Sequence, residues 1–390
     1  MRFICSKHDL LSAISSTIHA VPSRSTMPLL EGIFIKAEEE RLVLSRYNME
    51  MGITAAVAAD VQETGEIVID ASLLNNVIRS LSDDIVSFEA GSDLLAISQA
   101  GNSEFKLKGL DADSYPKLPV EDPSEAVHLP AALLSEMIRQ TIFAASQDQQ
   151  RPMFNAVLLN SQPHLLEMAA IDGYRLAVRR EEAKEGQSFP TLYYLIPAVS
   201  LREAERLMRS ASRTRPSSSN ENGNSEDDGS SKEDMIKLYT TKNHLIFEFG
   251  NISLITRLMQ GEFMKYSQVI PESSLTEVTL NRTALLSAVE RALLMTPNLD
   301  RRYPVNMVLK DPETMSLASH TEIGNSYDEI TVAQSGETFD IDFNPRYFVD
   351  ALKVIEDDMI RVEFSGSSGP CLIKPVEGEQ YVFLILPLRR

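Results

Sequence analysis

Cysteine is scarce in this 390-residue chain, with Cys5 and Cys371 as the only two. Two thiols cannot form a disulfide framework or supply a four-ligand zinc site. Long apolar runs are missing as well. The longest, 381–388, covers eight residues and contains Pro387, whereas a transmembrane helix needs ~20. The opening residues, Met1-Arg2-Phe3-Ile4-Cys5-Ser6-Lys7-His8-Asp9, hold no long apolar segment of the secretory kind. A cytoplasmic protein with no membrane contact is expected. Basic charge is in deficit, 37 Lys and Arg against 56 Asp and Glu, for a net charge of −19. Such a surface cannot grip nucleic acid all over, although a small basic lining on an acidic body stays possible.

Patterns that carry catalysis are absent too. No Gly-x-Gly-x-x-Gly and no Gly-x-x-x-x-Gly-Lys-Ser/Thr cradle for phosphates occurs. The six histidines, His8, His19, His128, His164, His244 and His320, lack metal-ligand spacing. Asp340 and Asp342 alternate in a strand pattern and share one face, which reads as a solvated face rather than a cation site. Residues 365–369 form a turn between strands, and no helix follows to make a nucleophile elbow. Neither a metal nor a cofactor is expected, and nothing assembles a nucleophile, a base and an orienting group.

What is present is a hydrophobic content of 43%, enough for true cores, and a pattern that occurs three times. Leu10, Leu11, Ile14 and Ile18 have the same offsets as Leu285, Leu286, Val289 and Leu293, and Leu133, Leu134 and Met137 open a third copy. These offsets make one stripe of an amphipathic helix. Pro28, Pro152 and Pro304 follow Leu11, Leu134 and Leu286 after 17, 18 and 18 residues, and each opens an apolar strand. A second helix recurs: Leu73, Leu74, Val77, Ile78 and Leu81 match Tyr347, Phe348, Ala351, Leu352 and Ile355, with a more charged version at 199–211. Alternating strands close each copy. The fold class is therefore α+β, with two helices packed on antiparallel sheets in each repeat. Segment 213–234 contains no apolar residue and reads as a flexible loop inserted in the second repeat. The domains are expected at 1–122, 123–272 and 273–390.

The three-fold repeat resembles the bacterial sliding clamp family, the beta subunit of the replicative DNA polymerase. The likeness covers the chain apart from the insert. It is carried by Arg24-Ser25-Thr26-Met27-Pro28-Leu29-Leu30, Ile171-Asp172-Gly173-Tyr174-Arg175-Leu176-Ala177-Val178, Phe343-Asn344-Pro345-Arg346-Tyr347 and Leu384-Ile385-Leu386-Pro387-Leu388-Arg389. The resemblance implies three clamp-type domains per chain and a head-to-tail homodimer. Six steps of about 60° would then close a ring, with helices lining the bore. It implies a processivity factor without catalytic activity. Its partners would be double-stranded DNA read without sequence preference, the catalytic subunit of the replicative polymerase, the clamp loader, and repair proteins carrying a clamp-binding motif. Phosphate contacts carry no sequence information, so a few cations suffice, and threading rather than contact energy retains the DNA.

The resemblance places DNA contact at Arg24, Arg79, Arg139, Gln149, Arg151, Arg206 and Lys353. Arg202, Arg206, Arg209 and Arg213 also step by 4, 3 and 4, a single helical stripe. It places a cleft for partner peptides between the second and third domains. Phe154, Ile171, Gly173, Tyr174, Arg175, Leu176 and Val269 would form one wall, and Asn344, Tyr347, Pro370, Leu384, Leu386, Pro387, Leu388 and Arg389 the other. Apolar walls can bury a Leu or Phe anchor at about 1.5–3 kcal/mol each, and Arg175 and Arg389 would orient the peptide's polar groups. Met264 and Tyr174 replace a proline and a histidine common in the family, which shifts the motif preference. Two other readings compete. Ser72, Asn102, Glu104, Ala198 and Val199 stand where some relatives are basic, which suggests a clamp-fold scaffold with weakened DNA contact. A metal-dependent nuclease would need clustered carboxylates, and the copies have none at equivalent positions.

Overall fold

A computed structural model describes residues 1–20, 27–91, 93–119, 124–148, 150–214, 235–295, 303–309 and 311–388. The first repeat opens with β1 (Arg2–Ser6) and α1 (Lys7–Thr17). A short helix, α2 (Pro28–Glu31), then precedes β2 (Gly32–Glu38), β3 (Arg41–Tyr47), β4 (Met51–Glu63) and β5 (Gly65–Asp70). Next come α3 (Ala71–Ser80), β6 (Ile85–Ala90), β7 (Leu95–Ala100) and β8 (Ser103–Lys108). The second runs through β9 (Val127–Pro130), α4 (Ala131–Thr141), β10 (Ala156–Gln162), β11 (Leu165–Ile171), β12 (Arg175–Glu182) and β13 (Leu192–Pro197). It ends with α5 (Ala198–Thr214), β14 (Met235–Thr240), β15 (His244–Phe249) and β16 (Ile252–Arg257). The third contains β17 (Thr276–Asn281), α6 (Arg282–Leu294), β18 (Val305–Leu309), β19 (Thr314–Thr321), β20 (Gly324–Gly336) and β21 (Phe339–Phe343). It closes with α7 (Pro345–Leu352), β22 (Met359–Phe364), β23 (Cys371–Pro375) and β24 (Tyr381–Ile385). Apart from short helical turns, all three modules share one order: strand, helix, four strands, helix, three strands.

Local chemistry explains the repetition. Four of the helices follow a strand directly and start on a side-chain cap. Ser6 accepts from Asp9 N, Asp70 from Leu73 N, Asn281 from Ala284 N and Asn344 from Arg346 N, each worth about 1 kcal/mol. Behind the caps, the helices bury periodic faces. Leu74, Val77 and Ile78 are buried on α3, Leu285, Ala288 and Val289 on α6, and Phe348, Ala351 and Leu352 on α7. The strands expected after Pro28 and Pro152 differ from expectation. Residues 28–31 form α2 and residues 152–155 a 3-10 turn, and strand begins only at Gly32 and Ala156. Proline's fixed φ suits the first position of a helix as well as the start of a strand. After Pro304 the strand follows directly. Gly32 is needed where β2 meets β5, because a Cβ there would lie 2.4 Å from Val68 Cγ1.

The chain divides into two compact units, Met1–Ser135 with Val199–Leu258 and Glu136–Ala198 with Met259–Arg390. In the first unit the sheet order is β8-β7-β6-β1-β4-β16-β15-β14-β9, with β3, β2 and β5 continuing from β4. In the second it is β13-β10-β11-β12-β24-β23-β22-β17-β20-β19-β18-β21. The first and third modules thus repeat one strand order, 8-7-6-1-4-3-2-5 in module positions. The second is shared out. Its half β16-β15-β14-β9 belongs to the first unit and its half β13-β10-β11-β12 to the second. Each unit therefore contains one junction between modules, and the two junctions are alike. The fourth strand of one module pairs antiparallel with the eighth of the next, β4 with β16 and β12 with β24.

Candidate functional site

The residues assigned to the peptide cleft fall in the second unit, around the junction of β12 and β24. Arg175 pairs with Ile385 and Leu176 with Leu384. Beyond β24 the chain continues extended: Leu386 N donates to Tyr174 O at 2.9 Å and Leu388 N to Asp342 O at 2.8 Å. This strings 386–388 between the β11–β12 turn and β21. Pro370 precedes Cys371, the register partner of Ile385 on β23. The turn is built by Asp172, whose Oδ1 accepts from Tyr174 N at 2.9 Å and Arg175 N at 3.0 Å. Gly173 within it has φ +90°, a left-handed conformation that favours glycine.

The assigned residues separate into floor and rim. Ile171, Leu176 and Leu384 are buried in one apolar cluster with Leu158, Val178 and Phe263, and Phe154 packs against it half-buried. Tyr174, Val269 and Leu386 are 45%, 41% and 39% exposed, and Met264, shortly before Val269 in sequence, is exposed as well. Tyr347 lies at the start of α7, with its ring 6.4 Å from that of Tyr174 and nearly parallel. Asn344 is the buried cap of that helix.

Arg175, assigned to orient the peptide's polar groups, is already engaged within the chain. Its side chain is 12% exposed, its Nε lies 3.0 Å from Asp172 Oδ2 and its Nη1 2.6 Å from Asp350 Oδ2. Its guanidinium stacks 4.7 Å from the Tyr347 ring centre and 5.6 Å from that of Phe143. It ties the turn to α7, with Tyr347 and Asp350 presented one helical turn apart. Asp350 and Phe143 escaped the sequence reading. The three-residue step from Tyr347 to Asp350 was the available signal for the first, and nothing local marked the second. A partly buried network also carried no local sequence signal. Tyr266 Oη donates to Glu167, and Arg180 Nε donates to the other Glu167 oxygen at 2.8 Å. Burial, then the bond to Glu167, pushes the Tyr266 hydroxyl well above its ordinary value. The network anchors the 3-10 turn Tyr266–Val269 to β11 and β12.

The cations assigned to DNA lie mostly on helices. In the second unit, Arg139 on α4 pairs with Glu356, and Lys353 Nζ at the end of α7 lies 2.8 Å from Glu290 on α6. Gln140 Nε2 donates to Val354 O at 3.4 Å, so α4 and α7 adjoin on that face, while α6 packs on α7. In the first unit, Arg206 Nε donates to Glu203 at 2.7 Å and its Nη2 to Ser16 O on α1 at 3.2 Å, and Arg209 pairs with Glu205. Arg79 on α3 and Arg151 before β10 are exposed, and neither makes an ion pair among the described residues. Arg24, Gln149 and Arg389 lie outside the described residues, as does most of segment 213–234; of that segment, residues 213 and 214 belong to α5.

No group of three or more His, Cys, Asp or Glu able to hold a metal ion occurs among the described residues. Asp340 and Asp342 share a face, as expected, and Asn306 Nδ2 donates to both at 2.7 and 2.8 Å. A recess of about 1010 Å³ in the first unit is lined by Asp9, Lys36, Glu38, Arg41 and Asn251 among others. It holds none of the assigned residues, and its cations are paired internally, Lys36 with Glu38 and Glu66, and Arg41 with Glu38. No helix among the described residues is long and apolar enough to cross a membrane.

Three family models match the chain. They are the DNA polymerase III beta subunit N-terminal domain over residues 1–119, the central domain over 128–215 and the C-terminal domain over 267–389. The beta sliding clamp of Bacillus subtilis is 30% identical over 401 residues, with 100% of both chains covered. That of Synechococcus elongatus is 27% identical over 394 residues, covering 100% of this chain and 99% of its own. Among solved structures, the Bacillus subtilis sliding clamp has a TM-score of 0.87 at 30% identity, covering 100% of this chain and 99% of that one. The Caulobacter crescentus sliding clamp has a TM-score of 0.86 at 27% identity, with 100% of both chains covered.

Proposed function

The chain belongs to the DNA polymerase III beta subunit family, the beta sliding clamps, and we propose that two copies join head to tail around duplex DNA and tether the replicative polymerase to it. Its role is that of a processivity factor, and it has no catalytic activity of its own. The module limits 1–122, 123–272 and 273–390 and a cytoplasmic location belong to the same proposal.

The observation that carries the proposal is the repeated junction. The third module offers the strand equivalent to β4 and β12, namely β20, and the first offers the strand equivalent to β16 and β24, namely β8. Among the described residues, 324–328 of β20 pair with β19 on one side only, and β8 pairs with β7 only. Both are open edges, which a second chain can extend. The register follows from internal equivalences. Ser6 and Asn281 cap equivalent helices, Cys5 pairs with Ala59 and Leu280 with Val332, so β20 matches β4 residue for residue. The turns before β8 and β16 are both two residues long and start with a left-handed glycine, Gly101 and Gly250. Ile252 pairs with Ala55 and Leu254 with Ile53. Transferred to the open edges, Ser103 faces Asp328 of the partner subunit and Phe105 faces Ser326 of the partner subunit. Phe105 is 37% exposed in the single chain, whereas its equivalent Leu254 is fully buried at its junction.

The cleft at β12–β24 is the docking site in this reading. Tyr174, Val269 and Leu386 present apolar and aromatic surface over a packed floor, which suits a short peptide with Leu or Phe anchors. The polymerase, the clamp loader and repair proteins would present such peptides in turn. The test is retention of the loaded protein on nicked circular DNA. Linearising the circle should release it within the time needed to diffuse to an end. Equal retention on the circular and linear forms would overturn the proposal.

A further inference from the structure

Three of the cations assigned to DNA, Arg139, Arg206 and Lys353, are occupied by carboxylates. In the second unit Lys353 is held by Glu290 and Arg139 by Glu356, acids that come from other elements than the cations they meet. In the first unit the same arrangement recurs by helical spacing, with Glu203 three residues before Arg206 and Glu205 four before Arg209. Glu356 is 73% exposed and Lys353 56%, so these pairs meet water and are individually weak. An exposed pair of this kind contributes roughly a factor of 1.4 to 5 to an equilibrium. Two units thus carry one device built from different acids.

We infer that Glu290 and Glu356 act as carboxylate competitors of DNA phosphate, so that each backbone contact on this helical face forms by displacing an acid of the protein itself. The inference rests on the clamp reading and adds the acids to it. A free cation gains its whole interaction when a phosphate arrives and loses it when the phosphate leaves. A cation already paired exchanges one anion for another, which flattens the energy difference between contact and no contact. For a protein retained by threading, a flat profile favours movement along the duplex. Arg79 and Arg151, without ion pairs among the described residues, supply the net attraction.

The experiment uses the full chain and a fluorescein-labelled 30-base-pair duplex, with anisotropy read between about 50 and 200 mM salt. Glu290→Gln and Glu356→Gln should each tighten binding roughly twofold to fivefold and steepen the slope of log affinity against log salt by about 0.9. Glu377→Gln, an equal change in charge on the β23–β24 turn, should leave both nearly unchanged. Lys353→Gln in the Glu290→Gln background should cancel the gain, and Arg79→Gln should weaken binding more than Lys353→Gln alone. Unchanged binding by both Gln variants, or an equal gain from Glu377→Gln, overturns the inference. If the wild type is retained on circular DNA at the same time, the clamp reading stands and the inference alone falls. A wild type that neither binds the duplex nor stays on a circle overturns both.

Discussion

Replacing Asp350 by Ala distinguishes two roles for Arg175. The guanidinium donates to Asp172 at 3.0 Å and Asp350 at 2.6 Å and lies on the faces of Tyr347 and Phe143. A hydrogen bond between charged groups contributes about 1.5–3 kcal/mol. Asp350 is 30% exposed, so water recovers part of its share, and Asp350→Ala should cost about 1.5 kcal/mol of stability. Arg175→Ala removes both bonds and the ring contacts and strands two carboxylates, for about 3 kcal/mol, the lower end for a broken buried pair. As a strut, Arg175 holds Tyr347 and the Asp172 turn in place. Asp350→Ala should then loosen the aromatic wall and weaken binding of an apolar Leu-Phe peptide by about tenfold, the equivalent of 1.4 kcal/mol. As a direct ligand of the peptide, Arg175 would be released by the same change and bind more tightly. Calorimetric titration of the peptide, run beside urea unfolding of each variant, reads both quantities. Tighter peptide binding by Asp350→Ala would refute the strut.

Deleting residues 386–390 removes the segment held by Tyr174 O and Asp342 O, and should abolish stimulation of the polymerase while the solution mass stays that of a dimer. Tyr266→Phe should lower peptide affinity several-fold with little loss of fold, because the Glu167–Arg180 pair stays intact while the turn bearing Val269 loses its anchor; peptide titration and circular dichroism check the two halves. Burial pushes the Cys5 thiol from 9.0 up to about 12. The folded state therefore favours the protonated form. That stabilisation is complete below pH 9.0 and is lost as the pH rises toward 12. Cys5 should resist thiol reagents at pH 8 until urea unfolds the chain.

Much of the fold was legible because it is local and repeated. The stripes from Leu10 to Ile18 and from Leu285 to Leu293, the helices around Leu74 and Phe348, and the closing strands of each module are periodic patterns that the backbone obeys. The helical turns at Pro28 and Pro152 were not, since proline suits both the start of a strand and the start of a helix. Nor was the division of the second module between two units, which depends on pairings such as Arg175 with Ile385 that no local pattern encodes. The cations show the same limit. Helical spacing located the stripe Arg202, Arg206, Arg209 and Arg213, but not the acids Glu203 and Glu205 that pair with Arg206 and Arg209. The acid that meets Arg139 lies 217 residues away. Arg175 was identified from its motif, but its engagement by Asp172 and Asp350 depends on how α7 packs beside the turn.

Encirclement itself is open to a covalent test. Residues directly opposite in an antiparallel pair have Cα atoms about 4.5–5.5 Å apart, within disulfide range. A chain carrying Phe105→Cys and Ser326→Cys, loaded on nicked circular DNA and oxidised, should close both joints and remain on the circle in hot detergent, to be freed only when the DNA is cut or the bonds are reduced. Detergent that strips the oxidised protein from intact circles as readily as from linear DNA would contradict the account.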